Sequence, residues 1–195
     1  MISAILLAAG QSRRMGPQKL LLPFEGQTVI GHIADQVLAA PIERAVVVTA
    51  KEGEAIRLAL AGKPLTFVVN PDSAGDMLSS VRCGLKMLPA ECTAAIVILG
   101  DQPTIRAALI GDLVQAFRST RARIVVPSCH GRRGHPVLFS ADYFAEILTQ
   151  HDGVGLRGLL QAHPSDIAEL AVADAALLAD MDCPEDYQRE LSRRV

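Results

Sequence analysis

The chain has 195 residues, half of them hydrophobic and 4% aromatic, with a formal net charge of −2. That length and composition fit one domain spanning residues 1–195, exclude intrinsic disorder and predict an aliphatic core. The charge gives no overall case for a nucleic-acid or anionic-membrane partner, and the apolar runs are too short to span a bilayer.

Ile2 to Leu7 is short and apolar, the pattern of a strand buried on both faces. It runs directly into Ala8-Ala9-Gly10-Gln11-Ser12-Arg13-Arg14-Met15-Gly16-Pro17-Gln18-Lys19. Small residues let a backbone approach a ligand closely, and successive N–H groups in such a turn can form a concave anion site. Arg14 with directional hydrogen bonds, and Lys19 as a point charge, would neutralise the rest of a phosphate group. Two commoner phosphate loops do not fit. A Walker A loop needs its glycines closer together and a Lys after the second, and the dinucleotide fingerprint fails at Ser12. The residues alone leave open a phosphate loop or a strand-to-helix turn carrying a solvated basic patch.

Val29, Ile30, Ile33, Val37 and Leu38 then share one helical face. Ala45 to Thr49 reads as a second buried strand and Phe67 to Val69 as a weaker one, followed by Asn70. Met77, Leu78, Val81, Leu85 and Leu88 form another helical face, with Ser79 and Ser80 near its start. Serines there commonly cap the helix, although Ser80 is also placed to approach a ligand. Ala95 to Leu99 is a third buried strand, and Asp101 stands two residues beyond it. That position suits a metal carboxylate as well as a turn or N-cap Asp.

A helical face through Ile105, Leu109, Leu113 and Phe117 precedes a strand at Ile124 to Val126. Gly131-Arg132-Arg133-Gly134-His135-Pro136 then leads into a weaker strand at Val137 to Phe139. It reads either as a basic surface hairpin or as an anion-binding segment with His135 on the substrate. Near the C-terminus, Pro184, Glu185 and Asp186 look like a helix first turn, with Pro at N1 and acids at the positive end of the dipole. His32, His130, His151 and His163 show no catalytic spacing. Cys83, Cys92, Cys129 and Cys183 match no CxxC or zinc framework, and no signal-peptide pattern opens the chain, so a cytoplasmic protein with reduced thiols is expected. The alternation of strands and helices predicts an α/β fold with a mainly parallel sheet. Its ligand crevice would lie beyond the carboxyl ends of the strands.

The segment Leu7-Ala8-Ala9-Gly10-x-Ser12-x-Arg14-Met15-Gly16-x-x-Lys19 resembles the signature loop of the MobA-like nucleotidyltransferase family. The likeness continues in order through Lys19-Leu20-Leu21-Leu22-Pro23, Asn70-Pro71, Gly100-Asp101-Gln102-Pro103, Gly134-His135-Pro136 and Asp180-Met181-Asp182-x-Pro184-Glu185-Asp186-Tyr187. It implies a Rossmann-like three-layer nucleotidyltransferase fold. It also implies transfer of CMP from CTP to molybdopterin bearing molybdenum, with release of pyrophosphate. Ala8-Ala9 followed by Gly10 is similar to the cytidylyltransferase branch rather than the guanylyltransferase branch.

Carried over position by position, the resemblance gives Arg14, Lys19 and Asp101 catalytic roles and puts Mg²⁺ on Asp101 and Asp182. It places Leu7, Ala8, Ala9, Gly10, Arg14, Met15, Gly16, Lys19, Asn70, Ser80 and His135 around nucleotide and acceptor. Cys183 departs from the family pattern, which commonly has Thr or Ser there. Two other readings remain: transfer to another phosphorylated acceptor such as a sugar phosphate, or a non-catalytic chaperone handing molybdenum cofactor to an oxidase or dehydrogenase.

Overall fold

The computed structural model describes residues 1–10, 19–72, 76–173 and 180–192. Arg14, Met15 and Gly16 of the expected phosphate loop lie outside the described residues. In chain order the elements are β1 (Ile2–Ala8), β2 (Pro23–Phe24), β3 (Gln27–Thr28), α1 (Val29–Ala39), β4 (Arg44–Thr49), α2 (Glu54–Ala59), β5 (Thr66–Val69), α3 (Met77–Leu85) and β6 (Ala94–Leu99). There follow α4 (Ala107–Ser119), β7 (Ile124–Cys129), β8 (Arg132–Arg133), β9 (Val137–Ser140), α5 (Phe144–Thr149), α6 (Leu156–Ala162), β10 (Ile167–Ala171) and α7 (Pro184–Ser192).

One sheet runs β10-β7-β9-β6-β1-β4-β5, with β8 paired to β7. Strand β9 is antiparallel to both β6 and β7, and β8 is antiparallel to β7. The remaining pairs are parallel. All seven residues of β1 are buried, because successive side chains point to opposite faces and helices cover both. Ile2, Ala4, Leu6 and Ala8 meet Ile30, Ile33, Val37, Ile110 and Leu113 of α1 and α4 on one face. Ile5 and Leu7 meet Leu78, Val81, Ile147 and Leu159 of α3, α5 and α6 on the other. Strand β6 divides in the same way, with Ala94, Ile96 and Ile98 on the first side and Ala95, Val97 and Leu99 on the second. Three layers result, and each fully buried Ile or Leu contributes about 1.5–3 kcal/mol.

Helix starts depart from the sequence reading in two places. Ile105 is buried but precedes α4, which begins at Ala107. Arg106 is extended there, and the free N–H of Ala107 is taken by Gln36 Oε1 from α1 at 3.0 Å. That cap comes from another element, so local sequence carries no trace of it. At α3 the cap is Asp76, whose Oδ1 accepts from the Ser79 N–H at 3.1 Å; neither Ser79 nor Ser80 fills that role. Thr28 caps α1 through the Gly31 N–H at 3.1 Å, as a Thr at that position should. Among the described residues no helix is long and apolar enough to cross a membrane.

Strands β1 and β6 lie close enough that Gly100 is the only residue type that fits beyond β6. Its N–H bonds to the Leu7 carbonyl at 2.9 Å, and a Cβ built on it would sit 2.6 Å from that same oxygen and 3.1 Å from Ile30 Cδ1. The clash is with backbone, so relief requires the strands to part. Gly100→Ala is therefore expected to cost about 1–3 kcal/mol, or roughly 3–10 °C in Tm. Calorimetry reads this directly, and an unchanged Tm would mean the two strand ends separate freely.

Candidate active site

Leu7 stands opposite Leu99 in parallel register, so the chain leaves β1 and β6 side by side at the carboxyl edge of the sheet. Leu7, Ala8 and Ala9 are buried at that rim and Gly10 is exposed. Asp101 emerges beside them. Lys19, the first residue of a short 3₁₀ turn, is only 7% exposed. Its Nζ donates to Asp101 Oδ2 at 2.6 Å, to the Met181 carbonyl at 3.1 Å and to Asp182 Oδ1 at 3.3 Å. An ammonium has three donors, and here three oxygens meet it. A charge so buried is tolerated because it is paired and hydrogen-bonded. Lys19 thereby joins the turn after β6 to the segment before α7.

Several contacts seat that last segment. The Met181 N–H donates to the Asp101 carbonyl at 3.0 Å, and its side chain is 1% exposed in the core. Gln102, equally buried, donates from Nε2 to Asp180 Oδ1 at 2.6 Å. Asp186 Oδ2 accepts from the N–H groups of Asp182 and Cys183 and from the Cys183 thiol, each at 3.0 Å. That carboxyl is the reciprocal half of a capping box, so the turn closes without the Ser or Thr that the family commonly has at 183. The Cys183 thiol, the two backbone donors and Arg189 draw the Asp186 pKa down to about 2, and the same contact raises that of Cys183. Tyr187 Oη donates to the Pro23 carbonyl at 2.6 Å and docks α7 on the hairpin β2–β3.

Two carboxylates, Asp101 and Asp182, thus hold one ammonium, and a third, Asp180, lies on Gln102 beside them. Burial, with the charges of Asp101 and Asp182, pushes the Asp180 pKa up against the opposing pull of Gln102 and Lys19. Asp101 and Asp182 converge on one cation, and their hard oxygens fit Mg²⁺ or Mn²⁺. Among the described residues no group of three or more His, Cys, Asp or Glu side chains could hold a metal ion. Two carboxylates match a cation of the Mg²⁺ type, which commonly takes its remaining oxygens from substrate phosphates and water.

His135 follows β8, its imidazole pKa lowered by burial while the Val97 carbonyl and the Asp101 charge oppose the shift. Its buried Nδ1 has no hydrogen-bond partner among the described residues. Asn70 and Ser80 come together at the ends of β5 and α3. Asn70 Nδ2 donates to Ser79 Oγ at 2.8 Å and Ser80 Oγ at 3.0 Å, while Oδ1 accepts from the Asp72 N–H at 3.0 Å. Asn70 is 2% exposed, and this network ties the turn after β5 to the first turn of α3.

Arg132 and Arg133 are exposed on the β7–β8 hairpin, with Arg133 on Glu169 at 2.8 Å. His32 is held between Glu25 and Arg106, and His151 and His163 share Glu146, all outside the Lys19 cluster. Gln102 and Asp180 were not singled out from sequence. The available signal was their position, one beside Asp101 and the other opening Asp180-Met181-Asp182.

Residues 4–167 match the MobA-like NTP transferase domain. The chain is 27% identical over 187 residues to the molybdenum cofactor cytidylyltransferase of Escherichia coli (strain K12), covering 95% of this chain and 93% of that protein. It is also 27% identical over 197 residues to nicotine blue oxidoreductase of Paenarthrobacter nicotinovorans, covering 97% and 96% respectively. The crystal structure of Rv0371c from Mycobacterium tuberculosis H37Rv superposes with a TM-score of 0.87 at 29% identity, covering 98% of this chain and 97% of that one. A manganese complex of that same protein superposes with a TM-score of 0.83 at 29% identity, covering 98% of each chain.

Proposed function

Since the chain belongs to the MobA-like NTP transferase family, we propose that it transfers CMP from CTP to the terminal phosphate of molybdopterin bearing molybdenum, with Mg²⁺ bound to Asp101 and Asp182. The observation that carries this reading is the convergence of Lys19, Asp101 and Asp182 at the carboxyl edge of the sheet. An acceptor phosphate oxygen forms a bond to the α-phosphorus of CTP, the bond to the β-phosphate oxygen breaks, and pyrophosphate leaves. The attacking oxygen is already anionic, so no side chain needs to act as a base. The work is positioning and charge neutralisation.

In this reading Leu7, Ala8, Ala9, Gly10, Arg14, Met15 and Gly16 cradle the nucleotide, and Lys19 and Arg14 bind its phosphates. The metal, when bound, offsets charge on the phosphoryl oxygens. Asn70 and Ser80 shape the nucleotide side, and His135, whose Nδ1 has no hydrogen-bond partner among the described residues, stands on the acceptor side. Ala8-Ala9 supports CTP over GTP. The product would pass to a molybdoenzyme. One relative carries an oxidoreductase name, but a buried lysine held by two carboxylates is suited to phosphate and metal rather than to electron transfer. Lys19 together with Asp101 favours catalysis over a binding-only chaperone.

The test is pyrophosphate release by the purified full-length chain with Mg²⁺, molybdenum cofactor and each of CTP, GTP, ATP and UTP. Cofactor-dependent release with CTP far above GTP is expected. Equal turnover with GTP would overturn the base preference. Release only with another phosphorylated acceptor would overturn the molybdopterin assignment, and no release with any acceptor would overturn the reaction.

A further inference from the structure

Asp182 is the least anchored member of the triad. Its side chain is 61% exposed and touches Lys19 at 3.3 Å, while Asp101 and Lys19 are 22% and 8% exposed. Its place beside Asp101 must therefore come from its main chain. The fixed points are the buried Met181 side chain, the Met181 N–H on the Asp101 carbonyl, the Lys19 ammonium on the Met181 carbonyl, the Asp186 carboxylate on the Asp182 N–H, and the bond from Gln102 to Asp180. The last is the only side-chain bridge among them that comes directly from the segment bearing Asp101.

Gln102 is a costly residue for that place. It is 1% exposed, and its Oε1 is buried without a partner among the described residues. An apolar side chain would avoid the orphaned oxygen. The amide also has a fixed sense, since turning it over would set Oε1 against the Asp180 carboxylate. Carboxylate and amide together define one register between residues 101–102 and residues 180–182.

We infer that Gln102 and Asp180 form a positioning pair that seats Asp182 against Asp101, so that the two carboxylates address one cation. This rests on the proposed metal role of Asp101 and Asp182. Neither Gln102 nor Asp180 touches the metal in this scheme; they act through the main chain at Met181.

The test uses the full-length chain and two readouts: Mn²⁺ affinity by electron paramagnetic resonance in the presence of CTP, and hydrogen exchange at the Met181 amide. Asp180→Ala and Gln102→Leu are each expected to weaken Mn²⁺ binding about ten-fold and to speed Met181 exchange by a similar factor. Gln102→Glu alone sets two carboxylates face to face and should do the same or worse. The double variant Gln102→Glu with Asp180→Asn restores a bond of reversed polarity at the same net charge. It should return both readouts to within about three-fold of the parent.

Parental Mn²⁺ affinity in Asp180→Ala, or no recovery in the double variant, would overturn the inference. If Asp180→Ala does not fold, the comparison of Gln102→Glu with the double variant decides the matter. Failure of the parent to bind Mn²⁺ would instead remove the metal reading on which the pair depends. Met181 exchange would then still report whether the bridge holds the segment.

Discussion

Asp101→Ala is expected to lower kcat for pyrophosphate release by on the order of 10²–10⁴-fold, the range for loss of an electrostatic catalytic group. The argument rests on which part of Asp101 does what. Its carbonyl accepts the Met181 N–H and its side chain meets Lys19. Alanine keeps the carbonyl, so the clip between β6 and the 180–182 segment survives. Lys19 also keeps two acceptors, the Met181 carbonyl and Asp182. The fold should therefore persist, and what disappears is the more buried of the two cation-facing carboxylates.

An interaction made chiefly with the rearranging phosphates lowers kcat and kcat/KM together. Asp101→Asn separates charge from shape: its side-chain oxygen can still accept from Lys19, yet the charge is gone. It should be nearly as impaired as the alanine variant. Steady-state kinetics at saturating CTP and Mg²⁺ make the comparison. Near-parental turnover in either variant would remove Asp101 from the reaction.

How far the sequence revealed this arrangement differs from residue to residue. The central strands were legible because both faces are covered, which writes an unbroken apolar run at Ile2–Leu7 and Ala95–Leu99. The edge strand β10 was not, since Ile167–Ala171 is only partly buried and includes the exposed Glu169. The hairpin β2–β3 was missed because Glu25-Gly26 supplies its positive-φ turn, where Asn-Gly or Asp-Gly would be the usual signal. Lys19 was readable from the chemistry of the loop after β1 and Asp101 from its place after a buried strand, each beside a plainer structural reading, while Asp182 drew its assignment from the resemblance. The contact among the three spans 163 positions and is set by tertiary packing, which no local pattern encodes. Gln102 and Asp180 escaped for the same reason: each looks like a turn residue until the other is brought to 2.6 Å.

Lys19→Met should separate two effects that the native residue combines. Methionine keeps the length and apolar stem and removes the charge. If Lys19 binds the triphosphate, CTP affinity should fall by about 10–100-fold, the worth of charge-assisted hydrogen bonds lost from a buried donor. Metal binding without nucleotide should move the other way. In the native chain a divalent ion entering between Asp101 and Asp182 must displace an ammonium that both carboxylates already hold.

With that ammonium gone, two carboxylates face each other without a counter-charge, and a cation should be held about ten-fold more tightly. The same imbalance should destabilise the cation-free variant. Mn²⁺ should then raise the Tm of Lys19→Met by more than it raises that of the parent. Calorimetric CTP titration and Mn²⁺ paramagnetic resonance measure the two affinities independently. Parental CTP affinity would leave Lys19 as a structural ion pair. Weaker Mn²⁺ binding in the variant would show that lysine and metal do not compete for one place. Opposite shifts, weaker nucleotide and tighter metal, are what a lysine exchanging its carboxylates for incoming phosphates must produce.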